Sequence, residues 1–201
     1  MIVKYAAIVI GAYLLGSLSL SIILSGSLFG KDIRSEGSGN AGATNMARVF
    51  GWTAGLLTLG GDAAKAVICM LAGKALAGEM GLALAGMACI FGHCYPVFHH
   101  FKGGKGVSVG GVIGFGVDWR VGLCVVAAFL LGALLSKKVS FGSLLGALAV
   151  TVAALAFGVS GPRVALAVFS MCLVIFRHRG NIKRLIQGTE PDFKAHKKEK
   201  V

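Results

Sequence analysis

The sequence predicts an all-α, polytopic membrane bundle of seven transmembrane helices, formed by one integral membrane domain over residues 1–201. Two observations carry that expectation. Of the 201 residues, 56% are hydrophobic and only 14% charged, with a mean hydropathy of +0.81; a soluble domain of this size carries roughly a quarter charged residues. The apolar residues also gather into seven runs, at about 2–24, 53–77, 81–98, 107–117, 121–136, 143–159 and 164–177.

The first run follows Lys4 and could pass for a secretory leader. It is long, and no small-residue cleavage site precedes a soluble remainder, so it reads as a retained span. The second carries Asp62 and Lys65, three residues apart and hence on one helix face. Ionisable groups within a membrane are costly and usually paired, which makes these two a structural ion pair tying their helix to a polar site. The third run ends in His93-Cys94-Tyr95-Pro96, where His93 reads as a packing or hydrogen-bonding residue.

The run at 107–117 is short of the ~20 residues that a straight span prefers. With 121–136 it could form one helix interrupted only by Asp118-Trp119-Arg120. Charge favours a hairpin instead. Lys102 and Lys105 precede the stretch, Lys137 and Lys138 follow it, and basic loops favour the cytoplasm. An even number of crossings must therefore separate them. Seven helices then leave residues 25–52, 99–106, 137–142 and the C-terminal tail on one side, with fifteen of the twenty basic residues. The expectation is an outside N-terminus, a cytoplasmic C-terminus and a disordered basic tail from about 192, with His196 in it. Basic residues at membrane ends suit anionic lipid headgroups, so the net charge of +12 does not point to nucleic acid.

Five scattered cysteines (Cys69, Cys89, Cys94, Cys124, Cys172) show neither CxxC nor Cys/His metal spacing. They read as small buried hydrophobes, and no metal or cofactor is expected.

Two glycine-rich polar loops fall on the basic side: Gly37-Ser38-Gly39-Asn40-Ala41-Gly42-Ala43-Thr44-Asn45 with Arg48, and Phe101-Lys102-Gly103-Gly104-Lys105-Gly106. Glycine lets backbone N–H groups converge on an oxyanion, and Lys, Arg, Asn and Ser supply further donors. The first loop formally matches GxGxxG, but no β-strand precedes it and no acidic residue follows at the right place in a βαβ unit. The second is not a Walker A loop, because Gly106 follows Lys105 where Ser or Thr is required. A phosphate-binding site beside lipid accounts for both. Lys105 with the Gly103–Gly106 backbone can hold one phosphate, and Ser38, Asn45 and Arg48 can orient another; which loop takes which substrate stays open.

His99 and His100 read as solvated headgroup-facing residues, and His178, between Arg177 and Arg179, as the best candidate for orientation or proton transfer. Nearby cations should weaken it as a base.

Taken together the motifs resemble one family, the bacterial membrane glycerol-3-phosphate acyltransferases that use acyl phosphate as donor. The matching pieces are the first loop with Arg48, Asp62 with Lys65, Gly92 to Phe98, the second loop, Val139-Ser140 with Ser143, and His178-Arg179-Gly180-Asn181-Ile182. They cover nearly the whole chain in order. The resemblance implies transfer of a fatty acyl group to glycerol 3-phosphate, giving lysophosphatidic acid and inorganic phosphate, at the cytoplasmic face of the bacterial inner membrane. It implies Ser38, Arg48, Lys105, His178 and Asn181 as catalytic residues. It implies Gly37, Gly39, Asn40, Thr44, Asn45, Gly103, Gly104, Gly106, Ser140 and Ser143 as substrate-binding ones. It also implies a possible partner, the soluble enzyme that makes acyl phosphate. Two positions depart from the family pattern: Ser108 stands where Ala-Thr is common, and His99-His100 replaces an apolar-glycine pair.

An acyl phosphate is a mixed anhydride with a good leaving group, so it needs charge neutralisation and alignment more than a covalent nucleophile. No Ser/His/Asp triad and no His-x4-Asp motif is present. The expectation is that a phosphate oxygen of the donor accepts the proton while His178 assists orientation. Two other classes remain open: a transporter for a phosphorylated anion, and a non-enzymatic lipid-binding protein. Flux without acyl transfer would mark the first, and lipid binding with neither would mark the second.

Overall fold

The structure, a computed structural model, describes residues 1–193. Among these residues it is all helical, with α1 (Ile2–Gly16), α2 (Leu20–Phe29), α3 (Ala43–Phe50), α4 (Trp52–Cys94), α5 (Val107–Val117), α6 (Trp119–Ser136), α7 (Val139–Ala156), α8 (Pro162–Arg177) and α9 (Arg179–Ile186). Two single-turn 3-10 segments, Ile33–Ser35 and Val97–His99, sit in the loops.

Length and apolarity qualify four helical stretches as spans: Ile2–Phe29, Trp52–His99, Trp119–Ser136 and Val139–Ala156. A fifth qualifies if α8 and α9, bent by 59°, count as one. That is fewer than the seven expected, and the backbone explains most of the difference. α4 is continuous in hydrogen bonding but leaves helical geometry at Ala77 (φ −142°) and Gly78 (φ +60°). Its two limbs fold back on each other there. Lys65 on the first limb meets His93 on the second at 3.2 Å, and a Cβ on Gly73 would lie 2.7 Å from that of Ala85.

The other segment ends follow local chemistry. Ser17–Ser19 interrupts the first run, with Ser19 extended (φ −93°, ψ 101°) before α2 resumes to Phe29. Asp118 separates α5 from α6; it is extended (φ −164°) and its carboxylate accepts the Arg120 N–H, capping α6. The hairpin favoured by charge is therefore formed, and a Cβ on Gly114 would lie 3.3 Å from the Gly122 Cα. α7 starts four residues before the apolar run does, so Ser140 and Ser143 lie in its first turns. Helices α3 and α9 fall where only loop and tail were expected.

Small residues let the helices close up. Gly16 of α1 lies against the Cys89 backbone and Gly92 of α4 against Tyr13, too near for any side chain. The core of Ile90, Val109, Ile113, Val117, Val121 and Leu166 gathers α4, α5, α6 and α8.

Polar contacts segregate to two ends. At one, Arg163 pairs with Glu79 and donates to the Val117 carbonyl at 3.0 Å, while Arg120 covers the Phe157 ring at 4.6 Å. At the other lie both glycine-rich loops, the start of α7 and α9. The tail expected to be disordered from 192 is held at its beginning: Lys138 Nζ meets Asp192 Oδ1 at 2.7 Å, and Phe193 N–H donates to the Lys137 carbonyl at 3.0 Å. Its remainder, with His196, lies outside the described residues.

Candidate active site

The first loop is built around Asn45, which is 1% exposed. Its Oδ1 accepts the Ser38 N–H at 2.9 Å, and its Nδ2 donates to the Glu36 and Ile33 carbonyls at 2.9 and 3.2 Å. Those bonds spend both amide donors on the loop itself. Asn45 thus shapes the loop, with both amide donors engaged inside it. Gly37 has φ +56°, and a Cβ there would strike Asn45 Oδ1, so the turn requires glycine. Gly39 also has positive φ (+70°). Thr44 and Asn45 belong to the first turn of α3, whose N-cap is Gly42.

The second loop is pinned from outside. The Arg177 guanidinium donates to the Gly103 carbonyl at 3.1 Å and the Gly104 carbonyl at 3.2 Å, and stacks 4.9 Å over the Tyr95 ring. Gly104 N–H donates to the His93 carbonyl at 3.1 Å. The expected cradle of backbone N–H groups is therefore smaller than the whole Gly103–Gly106 run, because Gly104 is committed. Gly106 has φ +83° and turns the chain into α5.

Between the loops and α9 opens a cleft of about 820 Å³. Ser38, Gly39, Asn40, Gly103, Lys105 and Asn181 line it, together with Arg34, Lys102, Arg177, Arg179 and Arg184. Lys105 Nζ donates to Asn181 Oδ1 at 2.7 Å. Asn181 Nδ2 in turn donates to Glu190 Oε1 at 2.6 Å, and Arg184 Nε to Glu190 Oε2 at 2.7 Å. Burial, with Arg184 as the next cause, brings the Lys105 ammonium down to about 8. An ammonium destabilised in this way gains from a bound dianion. Asp32 also lines the cleft, but three hydrogen bonds from the Arg34 side chain hold it, chiefly lowering its pKa against the cost of burial.

The remaining expected residues fall into two groups. Ser140 and Ser143 are buried and do not line the cleft, Ser140 lying beside the Glu190 carboxylate. Ser143 Oγ donates to the Val139 carbonyl one turn back at 2.8 Å, whereas Ser140 Oγ is buried without a hydrogen bond of good geometry. His178, just past the end of α8, is 2% exposed with Nδ1 2.8 Å from the Val174 carbonyl. A carbonyl only accepts, so Nδ1 carries the proton. Burial is the main cause that pushes His178 down to about 4, ahead of the nearby cations expected to weaken it. Arg48 stands back from the cleft and reaches it through its charge, which acts on Lys105. Among the described residues no three His, Cys, Asp or Glu side chains are placed to hold a metal ion.

A family model described as glycerol-3-phosphate acyltransferase matches residues 6–188. The chain belongs to that family. A Methylococcus capsulatus protein named glycerol-3-phosphate acyltransferase is 42% identical over 180 residues, 89% of this chain and 91% of its own. Among solved structures, PlsY, an integral membrane glycerol 3-phosphate acyltransferase, matches in its glycerol 3-phosphate form with TM-score 0.89 and 35% identity, over 94% of this chain and 96% of that one. Its lysophosphatidic acid form matches with TM-score 0.87 at the same identity. The chain is thus an integral membrane acyltransferase of phospholipid synthesis, as the motif resemblance implied.

Arg34, Arg177 and Arg184 of the cleft wall were not among the expected site residues, nor was Glu190, which bonds Asn181 and Arg184 without lining the cleft. One signal was available for Glu190: it is one of only three acids, with Asp192 and Glu199, in a strongly basic C-terminal stretch.

Proposed function

We propose that this chain transfers an acyl group from acyl phosphate to glycerol 3-phosphate at the cytoplasmic face of the bacterial inner membrane, giving lysophosphatidic acid and inorganic phosphate. The observation that carries the reading is a cationic cleft whose nearby carboxylates, among the described residues, are already committed. Asp32 is bound by Arg34, and Glu190 by Asn181 and Arg184. Such a cleft can neutralise two phosphates and offers no free carboxylate to deprotonate a hydroxyl.

The chemistry follows from that. Lys105, aimed by Asn181, and the arginines around it draw negative charge off the phosphates and favour departure of the leaving group. Ser38 and Asn40 on the first loop orient the acceptor. Its hydroxyl oxygen attacks the acyl carbon, the carbon–oxygen bond to phosphate breaks, and the hydroxyl proton passes to a phosphate oxygen of the donor. His178, neutral and fixed, assists orientation.

The membrane arrangement belongs to the same proposal. Counting the Ile2–Phe29 stretch, the two limbs of α4, α5, α6, α7 and α8 gives seven crossings, an outside N-terminus and a cytoplasmic C-terminus. The segregation of polar contacts to two ends supports the count. So does the basic bias of the cleft end.

The test uses purified protein in detergent with acyl phosphate and glycerol 3-phosphate, following phosphate release and lysophosphatidic acid together, with Lys105→Ala alongside. Stoichiometric release of both, lost in the variant, is expected. Folded protein that makes no product from acyl phosphate, acyl-CoA or acyl carrier protein would leave a transporter of phosphorylated anions as the better reading.

A further inference from the structure

One buried charge cluster has no part in that chemistry. Asp62, Lys65 and His93 are 1%, 4% and 3% exposed. Lys65 Nζ lies 2.8 Å from Asp62 Oδ1 and 3.2 Å from His93 Nδ1, and donates to the Leu18 carbonyl at 2.8 Å. His93 Nδ1 is also 3.4 Å from Asp62 Oδ1, so it faces a donor and an acceptor of the buried pair at once. The ring is thereby locked in orientation by a charge held out of water, where losing a partner is costly.

The locked ring sits where the two glycine-rich loops meet. A Cβ built on Gly104 would collide with His93 Nε2 and stand 2.8 Å from the Ala41 carbonyl oxygen of the first loop. The His93 carbonyl meanwhile accepts the Gly104 N–H at 3.1 Å. His93 therefore touches the second loop with main chain and ring, at the glycine that packs beside Ala41 of the first loop. Lys65 adds the Leu18 carbonyl, at the break between α1 and α2.

We propose that His93, held by the buried Lys65–Asp62 pair, is a positioning residue that sets the spacing of the two glycine-rich loops, and through it the separation of the two phosphate groups in the cleft. The proposal rests on the acyltransferase reading of that cleft. Reactants must approach in a fixed geometry, and a displacement of about 1 Å can cost on the order of a hundredfold in rate. A spacer made from a locked imidazole and a glycine with no side chain defines that distance more tightly than two flexible loops could.

The test compares His93→Ala, His93→Gln, Lys105→Ala and the Ala double variant. Initial rates and calorimetric titration with inorganic phosphate would both be measured. His93→Ala should raise the KM for glycerol 3-phosphate about tenfold and weaken phosphate binding in proportion. His93→Gln, whose amide can still accept from Lys65, should recover most of the loss. Combined with Lys105→Ala, the His93→Ala change should cost less than about twofold more, because the two act on one loop. Gly104→Ala should be severely impaired alone and partly relieved by His93→Ala, which removes the colliding atoms.

Full additivity of His93→Ala with Lys105→Ala would overturn the proposal, as would lost thermal stability with KM and phosphate binding unchanged. Should His93→Ala fail to fold, His93→Asn carries the same comparison. Its shorter amide withdraws from Gly104, so Gly104→Ala should be tolerated better in that background, and equal impairment in both backgrounds would refute the spacer. Wild-type turnover tests the acyltransferase reading separately, and the phosphate titration needs no turnover.

Discussion

Replacing Asn45 with alanine would remove three hydrogen bonds at once and leave the Ser38 N–H and the Ile33 and Glu36 carbonyls without that partner. Each bond contributes about 1 kcal/mol net. The site is 1% exposed, so water cannot replace the bonds without the loop opening. Their sum is about 3 kcal/mol, which for a chain of this size lowers Tm by roughly 6–12 °C. The functional effect should exceed the thermal one at 25 °C, because the loop that opens carries Ser38 and Asn40 into the cleft. KM for glycerol 3-phosphate should rise at least about tenfold in protein that is still folded. Asn45→Asp should do no better: it keeps the acceptor, loses both donors and turns a carboxylate toward two carbonyl oxygens. Thermal unfolding and initial rates on both variants check this. A Tm drop under about 2 °C with KM unchanged would refute Asn45 as the residue that shapes the loop.

Three further outcomes follow from the charges. With Lys105 brought down to about 8, the fraction holding a proton falls above that pH, so KM for the phosphorylated acceptor should rise roughly tenfold from pH 7 to 9. Lys105→Arg, which stays charged, should flatten that rise in a rate–pH series. His178 has its folded-state value lowered from 6.5 to about 4, so the unfolded chain binds the extra proton. Its contribution to stability is complete above pH 6.5 and is lost as pH falls toward 4, amounting to about 3 kcal/mol. Denaturation between pH 7 and 4 should lose that part of its slope in His178→Asn. Arg163→Ala, at the far end from the cleft, should cost about 1 kcal/mol through the Val117 carbonyl and the partly exposed Glu79 pair. Its kcat/KM should stay within about twofold of wild type.

The parts of this fold that could be read from sequence were those set by water and charge. The apolar runs at 53–77, 107–117 and 164–177 end close to real helix breaks or termini, since leaving the membrane and ending a helix have a common cause in Gly78, Asp118 and Arg177. Convergence of the loops was legible from lysine placement alone. What escaped was the use made of each polar side chain. Asn45 and Lys105 look alike as phosphate donors in a glycine-rich string, but only the folded chain reveals that both Asn45 donors are spent internally. Arg177 and Glu190 act through partners 73 and 9 residues away, at Gly104 and Asn181, and no local pattern encodes those pairings. Helices α3 and α9 escaped for a related reason: at eight residues each they are too short to stand out by periodicity, and tertiary packing sustains them.

On the seven-crossing reading, the cleft floor lies below the headgroups. α5 has 11 residues and so a length of ~16 Å, about half the ~30 Å of a hydrocarbon core. Its far end is fixed at the end that bears Arg163, which bonds the Val117 carbonyl, and its near end follows directly on Gly106 and Lys105. With Val117 at one interface, Lys105 must sit well inside the opposite leaflet, reached through the open cleft. That depth reconciles two demands of the proposed donor, whose phosphate needs cations while its acyl chain needs lipid: a sunken cleft lets the chain stay in the bilayer as the phosphate reaches Lys105. A spin label at Ser108, in the first turn of α5, should therefore report a depth more than about 5 Å below the lipid phosphates in a cysteine-free background, by the same rise per residue. A label at headgroup level would mean that α5 does not cross, and would remove both the sunken cleft and the seventh span.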